Sequence, residues 1–339
     1  MEKKVLSIGI AAYNMEHYLR RCLDSLLIPH LDKIEVVIAN NASTDSTPSI
    51  AQEYAARYPD SFKLVDIKVN GHYGRAVNTA LANSTGKYFK LLDADDSYCT
   101  DGLEELVCFL DHSDVDLCVT GYYTTDENNK ITGKIIVPEG LVGRELDADS
   151  LQWGVDTPSL LLSMHSLCVK RCMLIDNQFA LQEGIGYVDT EYNYYCLLYS
   201  KRIAFLNTIV YRYLVGREGQ TISPEASSKN SLSFWKVSKR IISDYSVIKD
   251  AITPVMRDNI IIPIYKVSSC FFFAELFIKN TKDIHRKEVS ELINLCDECG
   301  IDLKNFKFHS IDYVAVYKKI GLSFHWLYFL TNKFRKQAL

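Results

Sequence analysis

The stretch Lys87-Tyr-Phe-Lys-Leu-Leu-Asp93-Ala-Asp95-Asp96 decides how the rest of the chain is read. Its aromatic and apolar run, Lys87 to Leu92, predicts a strand, and the acids Asp93, Asp95 and Asp96 end it. Three carboxylates in four residues repel one another and are tolerated in water, beside cations or around a metal. Asp93 and Asp95 stand two residues apart, which turns both side chains to one side of a strand end. A hard divalent cation with oxygen ligands requires that arrangement. A lone Asp-x-Asp is more often a solvated acidic turn, so the surrounding segments have to decide.

Upstream, Val5–Ala12 is a short, nearly all-apolar run, as in a strand covered on both faces, and it stops at Tyr13-Asn14. Tyr18, Leu19, Cys22, Leu23, Leu26 and Leu27 then recur at helical spacing over Glu16–Leu27. Ile34–Ala39 predicts the next buried strand, ended by the polar turn Asn40-Asn-Ala-Ser-Thr-Asp45. A helix with Pro48 near its start follows, running to about Tyr58. Phe62–Lys68 is a third strand, Asn70-Gly-His-Tyr-Gly74 its loop, and Arg75–Leu81 another helix. Strand, polar loop and helix repeated three times, then a strand ending in acids, predicts a parallel α/β sheet. Such sheets bind ligands beyond the carboxyl ends of their strands, where every one of these polar clusters falls.

Downstream, the pattern gives a helix over Gly102–Leu110, a strand over Val115–Thr120, and hairpin and loop over 121–150 with a turn at Asn128-Asn129. Gly184–Tyr192 opens a helix to about Tyr199, and Ile203–Leu206 and Ile209–Tyr213 read as strands. Gly216–Ser223 is a glycine-bearing loop, and Pro224–Asn230 reads as a linker. Long helical patterns begin at 231, so residues 1–223 and 231–339 are expected to form two domains, the second helical.

With 47% hydrophobic residues in 339, the chain can build a large core. Its net charge of −4 offers no field for nucleic acid, so no nucleic-acid partner is expected. The N-terminus enters a strand without a signal-peptide apolar region, and no apolar run is expected to reach the ~20 residues that span a bilayer. Ten cysteines scattered through regular segments suit reduced thiols, and Cys296-Asp-Glu-Cys299 lacks the second pair a zinc site normally shows. These features place the chain in the cytoplasm. Lys318–Lys336 mixes aromatics with Lys and Arg, which suits peripheral contact with an anionic membrane at the inner face of the plasma membrane.

Five ordered motifs together resemble the family 2 glycosyltransferases of the GT-A fold: Ala12-Tyr13-Asn14, Asn40-Asn41-Ala-Ser-Thr-Asp45, Asn70 to Asn78 with Gly74 and Arg75, Asp93-Ala94-Asp95, and Val188-Asp189. The likeness spans about residues 4–223. It implies a Rossmann-like, mostly parallel sheet and transfer of a sugar from a nucleotide-diphosphate donor, a UDP-sugar first, with inversion and with Mn2+ or Mg2+. The acceptor would be a growing glycan or a lipid- or protein-linked hydroxyl in cell-surface polysaccharide synthesis, and a homodimer is a further expectation. Carried over by position, Asp95 holds the metal, Asp93 leans to the ribose and metal, and Asp189 is the base. Ala12, Tyr13, Asn14, Asn40, Asn41, Asp45, Gly74, Arg75, Asp93, Ala94 and Arg217 fall at donor-binding positions.

Two departures stand out. The family's Glu-Asp pair is Val188-Asp189 here, with Glu191 and Glu183 as fallback bases. Asn40-Asn41 stands where Asp-Asp is usual, which keeps thymine and guanine open beside uracil, since an amide both accepts and donates. A sugar nucleotidyltransferase would want a glycine-rich basic loop after the first strand, and Ala11-Ala-Tyr-Asn-Met15 has neither glycine nor base. A catalytically silent nucleotide-sugar-binding or assembly protein is the reading from another class.

Overall fold

The computed structural model describes residues 4–217, 220, 224–308 and 311–326. The chain divides into two compact units, Met1–Glu218 and Gly219–Leu339.

In the first unit the strands and helices run β1 (Leu6–Ala12), α1 (Leu19–Asp24), β2 (Ile34–Asn41), α2 (Thr47–Arg57), β3 (Phe62–Ile67), α3 (His72–Ala82), β4 (Tyr88–Asp93), β5 (Ser97–Tyr98) and α4 (Thr100–His112). Then follow β6 (Leu117–Thr125), β7 (Ile131–Ile135), β8 (Glu145–Asp147), β9 (Leu167–Lys170), α5 (Arg171–Asp176), α6 (Asp189–Tyr199) and β10 (Arg202–Leu214). They build one ten-stranded sheet with the path β3-β2-β1-β4-β9-β6-β10-β5. The first four strands are parallel. β9 runs antiparallel to both β4 and β6, so the sheet is mixed where the short sequence patterns beyond residue 120 gave no direction. The two runs read separately as 203–206 and 209–213 are one strand, β10, parallel to β6 with register shifts.

Burial explains the apolar strands. Leu6, Ile8 and Ile10 on β1 and Val36, Val37 and Ile38 on β2 are fully covered, which is why a period-two pattern is absent. Register explains the site. Ala12 lies beside Asn40, Ala11 beside Asp93, and Asn40 beside Asp66, so the polar ends of four strands meet at one rim. Lys90 is the exception to an apolar β4. It is fully buried, its ammonium donates to the carbonyls of His165 (2.8 Å) and Leu167 (3.2 Å), and burial lowers its pKa to about 8.

In the second unit α7 (Pro224–Lys229) replaces the linker expected over 224–230, and α8 (Ser231–Ile248), α9 (Pro254–Phe273), α10 (Arg286–Cys299) and α11 (Tyr313–Ile320) follow. The stretch Pro254–Ile278, α9 with one π turn, corrects a second expectation. It is long and apolar enough to cross a bilayer by length and composition, although 61% of its most apolar window is buried within the protein. Glu275 in that turn is fully buried and held by Lys279 (2.7 Å) and by the backbone N–H and ring of His285 (both 2.9 Å). Cys296 and Cys299 are free thiols. Of the tail assigned to membrane contact, residues 318–320 end α11, and the residues beyond Trp326 lie outside the described residues.

Candidate active site

β4 delivers Asp93 to the rim, and a tight turn closed by Asp96 N–H to the Asp93 carbonyl (3.0 Å) folds the other two acids back on it. Ligand oxygens of Asp93, Asp95 and Asp96 come within 4.8 Å of one another. The three are not equivalent. Asp96 is buried, with one oxygen accepting from the Tyr211 hydroxyl (2.6 Å) and the other from Leu214 N–H (2.7 Å). It fastens the acid turn to β10. Asp95 Oδ2 accepts from Arg217 Nε at 2.5 Å, and the Arg21 guanidinium takes its carbonyl at 2.6 Å. Asp93 donates its N–H to the Tyr211 hydroxyl (3.1 Å), while its Oδ1 is buried without a hydrogen-bond partner among the described residues.

Burial, then the charge of Asp95, lifts the Asp93 carboxyl to about 7, with Asp189 adding to the rise and Tyr73 and Arg217 opposing it. Burial beside Asp95 and Asp93 also raises Asp96, against its bonds from Tyr211 and Leu214.

Asp189 begins α6 behind the buried Val188, after Tyr187 at φ +63°. The segment before it is clipped to α3 by reciprocal bonds, Asn78 Nδ2 to the Leu181 carbonyl (2.9 Å) and Leu181 N–H to Asn78 Oδ1 (2.8 Å). Gly184 N–H adds a bond to the Gly71 carbonyl at 2.9 Å. Gly74 permits that approach, because a Cβ there would lie 2.0 Å from the Gln182 carbonyl oxygen. Asp189 then stands close enough that its charge acts on Asp93, Tyr73 and Tyr213. The fallback bases are otherwise engaged. Glu191 is buried and holds Gln182 through its backbone N–H (3.0 Å) and side-chain amide, and Glu183 pairs with Arg75 Nε at 2.6 Å.

The remaining sequence candidates knit the loops together. Asn40 gives Nδ2 to Asp66 Oδ1 (2.8 Å) and accepts Ser43 N–H (3.2 Å). Asn41 accepts Gly71 N–H (3.1 Å) and donates to the His72 carbonyl (2.9 Å) and Asn70 Oδ1 (3.2 Å). Asn14, at φ +54°, accepts Thr44 N–H at 2.9 Å. Asp45 accepts Thr47 and Glu16 N–H groups (2.9 and 3.0 Å). Burial pushes its carboxyl up, and these bonds bring it below the usual carboxylate range. Ala12 and Ala94 are buried, Tyr13 is 45% exposed, and Arg75 is turned to Glu183 and the Val69 carbonyl.

The family description glycosyl transferase family 2 matches residues 7–168, which contain four of the five motifs and the whole acid turn. Residues 7–168 are thus similar to a family 2 glycosyltransferase domain. EpsE of Bacillus subtilis (strain 168) is 34% identical to it over 134 residues, 39% of this chain and 48% of EpsE. The chain spans about half or less of the length of the first such sequence relatives. Among solved structures, S. aureus TarS 1-349 in complex with UDP-GlcNAc superimposes with a TM-score of 0.54 at 17% identity, covering 94% of this chain and 92% of that one. The mannosyltransferase PcManGT from Pyrobaculum calidifontis, in complex with GDP-Man and Mn2+, gives 0.50 at 15% identity, covering 95% and 88%. At such identities the likeness establishes the fold, which is GT-A.

The acids of this turn fit a divalent cation. Their donors are all oxygen, and the bare buried Oδ1 of Asp93 is a group that a cation would satisfy. Asp93 and Asp95 could hold it, while Asp96 has spent both oxygens on β10.

Sequence reading missed an aromatic wall. The His165 ring stacks on Tyr213 at 4.3 Å and meets the edge of Tyr211 at 4.7 Å, and Tyr213 feels the charges of all four acids. No local spacing could have found it, since its members come from β10 and the turn before β9.

Proposed function

We propose that this chain transfers a sugar from a nucleoside-diphosphate donor, a UDP-sugar, to a hydroxyl of a growing glycan or a lipid- or protein-linked acceptor. The reaction runs with inversion and depends on a divalent cation. One observation carries the proposal: the ligand oxygens of Asp93, Asp95 and Asp96 gather within 4.8 Å of one another at the rim of the sheet, with the Asp93 Oδ1 buried and bare.

Held by Asp93 and Asp95, Mn2+ or Mg2+ would supply Lewis-acid stabilisation of charge on the departing diphosphate. Asp189, half-buried at the start of α6, takes the proton of the acceptor hydroxyl on the face opposite the leaving group. Arg217 gives up Asp95 to the cation and turns its fork to phosphate oxygens, a geometry for which guanidinium is suited. Tyr13 offers an exposed ring at the end of β1 for the base, and the Asn40 and Asn41 networks hold the loops around it. Asp96 and Tyr211 keep the acid turn in place. Residues 1–223 form the donor-binding and catalytic domain in this reading, and residues 231–339 serve acceptor, membrane or partner contact at the inner face of the plasma membrane. The family match and the TarS and PcManGT likenesses support the donor class.

The test is a thermal-shift panel of UDP, GDP and dTDP with and without Mn2+, followed by donor turnover with the sugars of whichever nucleotide binds. A rise in melting temperature with one nucleotide only when Mn2+ is present, and turnover abolished by EDTA, is the expected pair. Binding unaffected by Mn2+ together with turnover in EDTA overturns the metal role.

A further inference from the structure

A second cluster of metal-ligating groups lies away from the acid turn. Glu104 and Cys108 stand four residues apart on α4, hence on one face of the helix. His30, in the loop between α1 and β2, faces them. Its backbone N–H donates to Glu104 Oε2 at 3.3 Å and its ring Nδ1 shares a short contact with Glu104 Oε1. Cys108 Sγ is 4.0 Å from the same Oε1, and one ligand atom from each of the three residues lies within 4.8 Å of the others. One helical turn further along α4, Asp111 meets Lys33 at 2.5 Å, so the loop is already seated on this face of the helix.

We propose that His30, Glu104 and Cys108 form a site for a borderline transition-metal ion of the zinc class, which clamps the α1–β2 loop to α4. Imidazole nitrogen, carboxylate oxygen and thiolate sulfur are the three ligand types zinc accepts, and three protein ligands leave a fourth position for water. The acid turn, all oxygen, suits hard cations instead, so the donor sets separate the two sites by metal. His30 is 44% and Glu104 22% exposed at the side chain and Cys108 is exposed, which gives the ion a way in. The clamp would steady α1, whose Arg21 holds the Asp95 carbonyl.

The experiment uses the full chain carrying Asp95→Asn, which weakens the first site, with and without Cys108→Ser or His30→Ala. Both added changes are at exposed or half-exposed side chains that no core contact needs. Zn2+ titration by calorimetry should give one site per chain, unaffected by excess Mg2+, and weakened by at least about tenfold in either added variant. Co2+ in place of Zn2+ should give a thiolate charge-transfer absorption that Cys108→Ser removes. Mass-mapped alkylation should show Zn2+ protecting Cys108 but not Cys172 or Cys270, which are also exposed. Equal Zn2+ affinity in all three proteins, or alkylation of Cys108 at the same rate with and without Zn2+, overturns the site.

Discussion

Arg217 donates its Nε to Oδ2 of Asp95 at 2.5 Å, and both side chains are nearly withdrawn from water, 16% and 11% exposed. A guanidinium therefore sits on the carboxylate proposed to hold the metal, and its ring neighbour Tyr18 lies 5.6 Å beneath it. A divalent cation and Arg217 compete for one anion. Arg217→Ala should bind Mn2+ at least as tightly as the unaltered protein while turnover falls, because the competitor and the phosphate clamp are lost together. Calorimetry with Mn2+ beside a donor-turnover assay checks both halves. Weaker Mn2+ binding in the variant would show that the arginine does not compete for Asp95.

Asp189→Asn should keep donor and Mn2+ affinity and lose roughly 10²–10⁴-fold in turnover, the usual worth of a positioned general base. Steady-state kinetics with separate donor KM and kcat values measures it. Unchanged kcat would remove Asp189 from the mechanism, and Glu183, paired with Arg75, would be the next residue to test.

Asp95→Asn should abolish the Mn2+-dependent rise in melting temperature. Asp96→Asn should instead lower the melting temperature with or without Mn2+, because both Asp96 oxygens are committed to Tyr211 and Leu214. A buried hydrogen-bonded carboxylate lost this way costs about 1–3 kcal/mol. The two acids, adjacent in sequence, thus separate by readout.

The Asp93 carboxyl, lifted to about 7 by burial and by Asp95, gives a pH dependence of definite sign. Its folded pKa lies above the ordinary value near ~3.9, so the cation-free fold holds this proton more tightly than the unfolded chain does. That contribution to stability is full at low pH and is lost as pH rises through about 7. A cation needs the ionised form, so apparent Mn2+ affinity should fall by up to about tenfold per pH unit below 7 and level off above it. Calorimetry across this range checks the slope, which Asp93→Asn should flatten.

Gly74→Ala tests how Asp189 is positioned. The new Cβ would stand 2.0 Å from the Gln182 carbonyl and push the 181–184 segment off α3. Stability should fall by about 1–3 kcal/mol, and turnover should fall further than Mn2+ binding does. Equal losses in turnover and Mn2+ binding would mean that α6 does not depend on this contact.

The sequence made the first half of the sheet legible because its evidence is local. Each of β1 to β4 is an apolar run ended by a polar cluster, and short crossover connections leave a parallel arrangement as the natural outcome. β9 escaped because four residues carry no directional signal, and the 224–229 helix because Ser-rich segments also suit linkers. Asn40 and Asn41 illustrate the limit at the site. The motif located them at the rim, yet Asp66, Asn70, Gly71 and His72, which hold their side chains in this structure, are 26 to 31 residues away.

By itself, the sequence determined which residues end strands at one rim, since that follows from periodicity and turn chemistry over a few neighbours. Only the tertiary structure decided that Asp96 is spent on β10, more than a hundred residues away, that Arg217 covers Asp95, and that Asp189 acts on Asp93. The reason is physical. Long-range charge and hydrogen-bond partners are chosen by packing, here by the glycine that lets the segment before α6 lie against α3, and no local pattern encodes that approach.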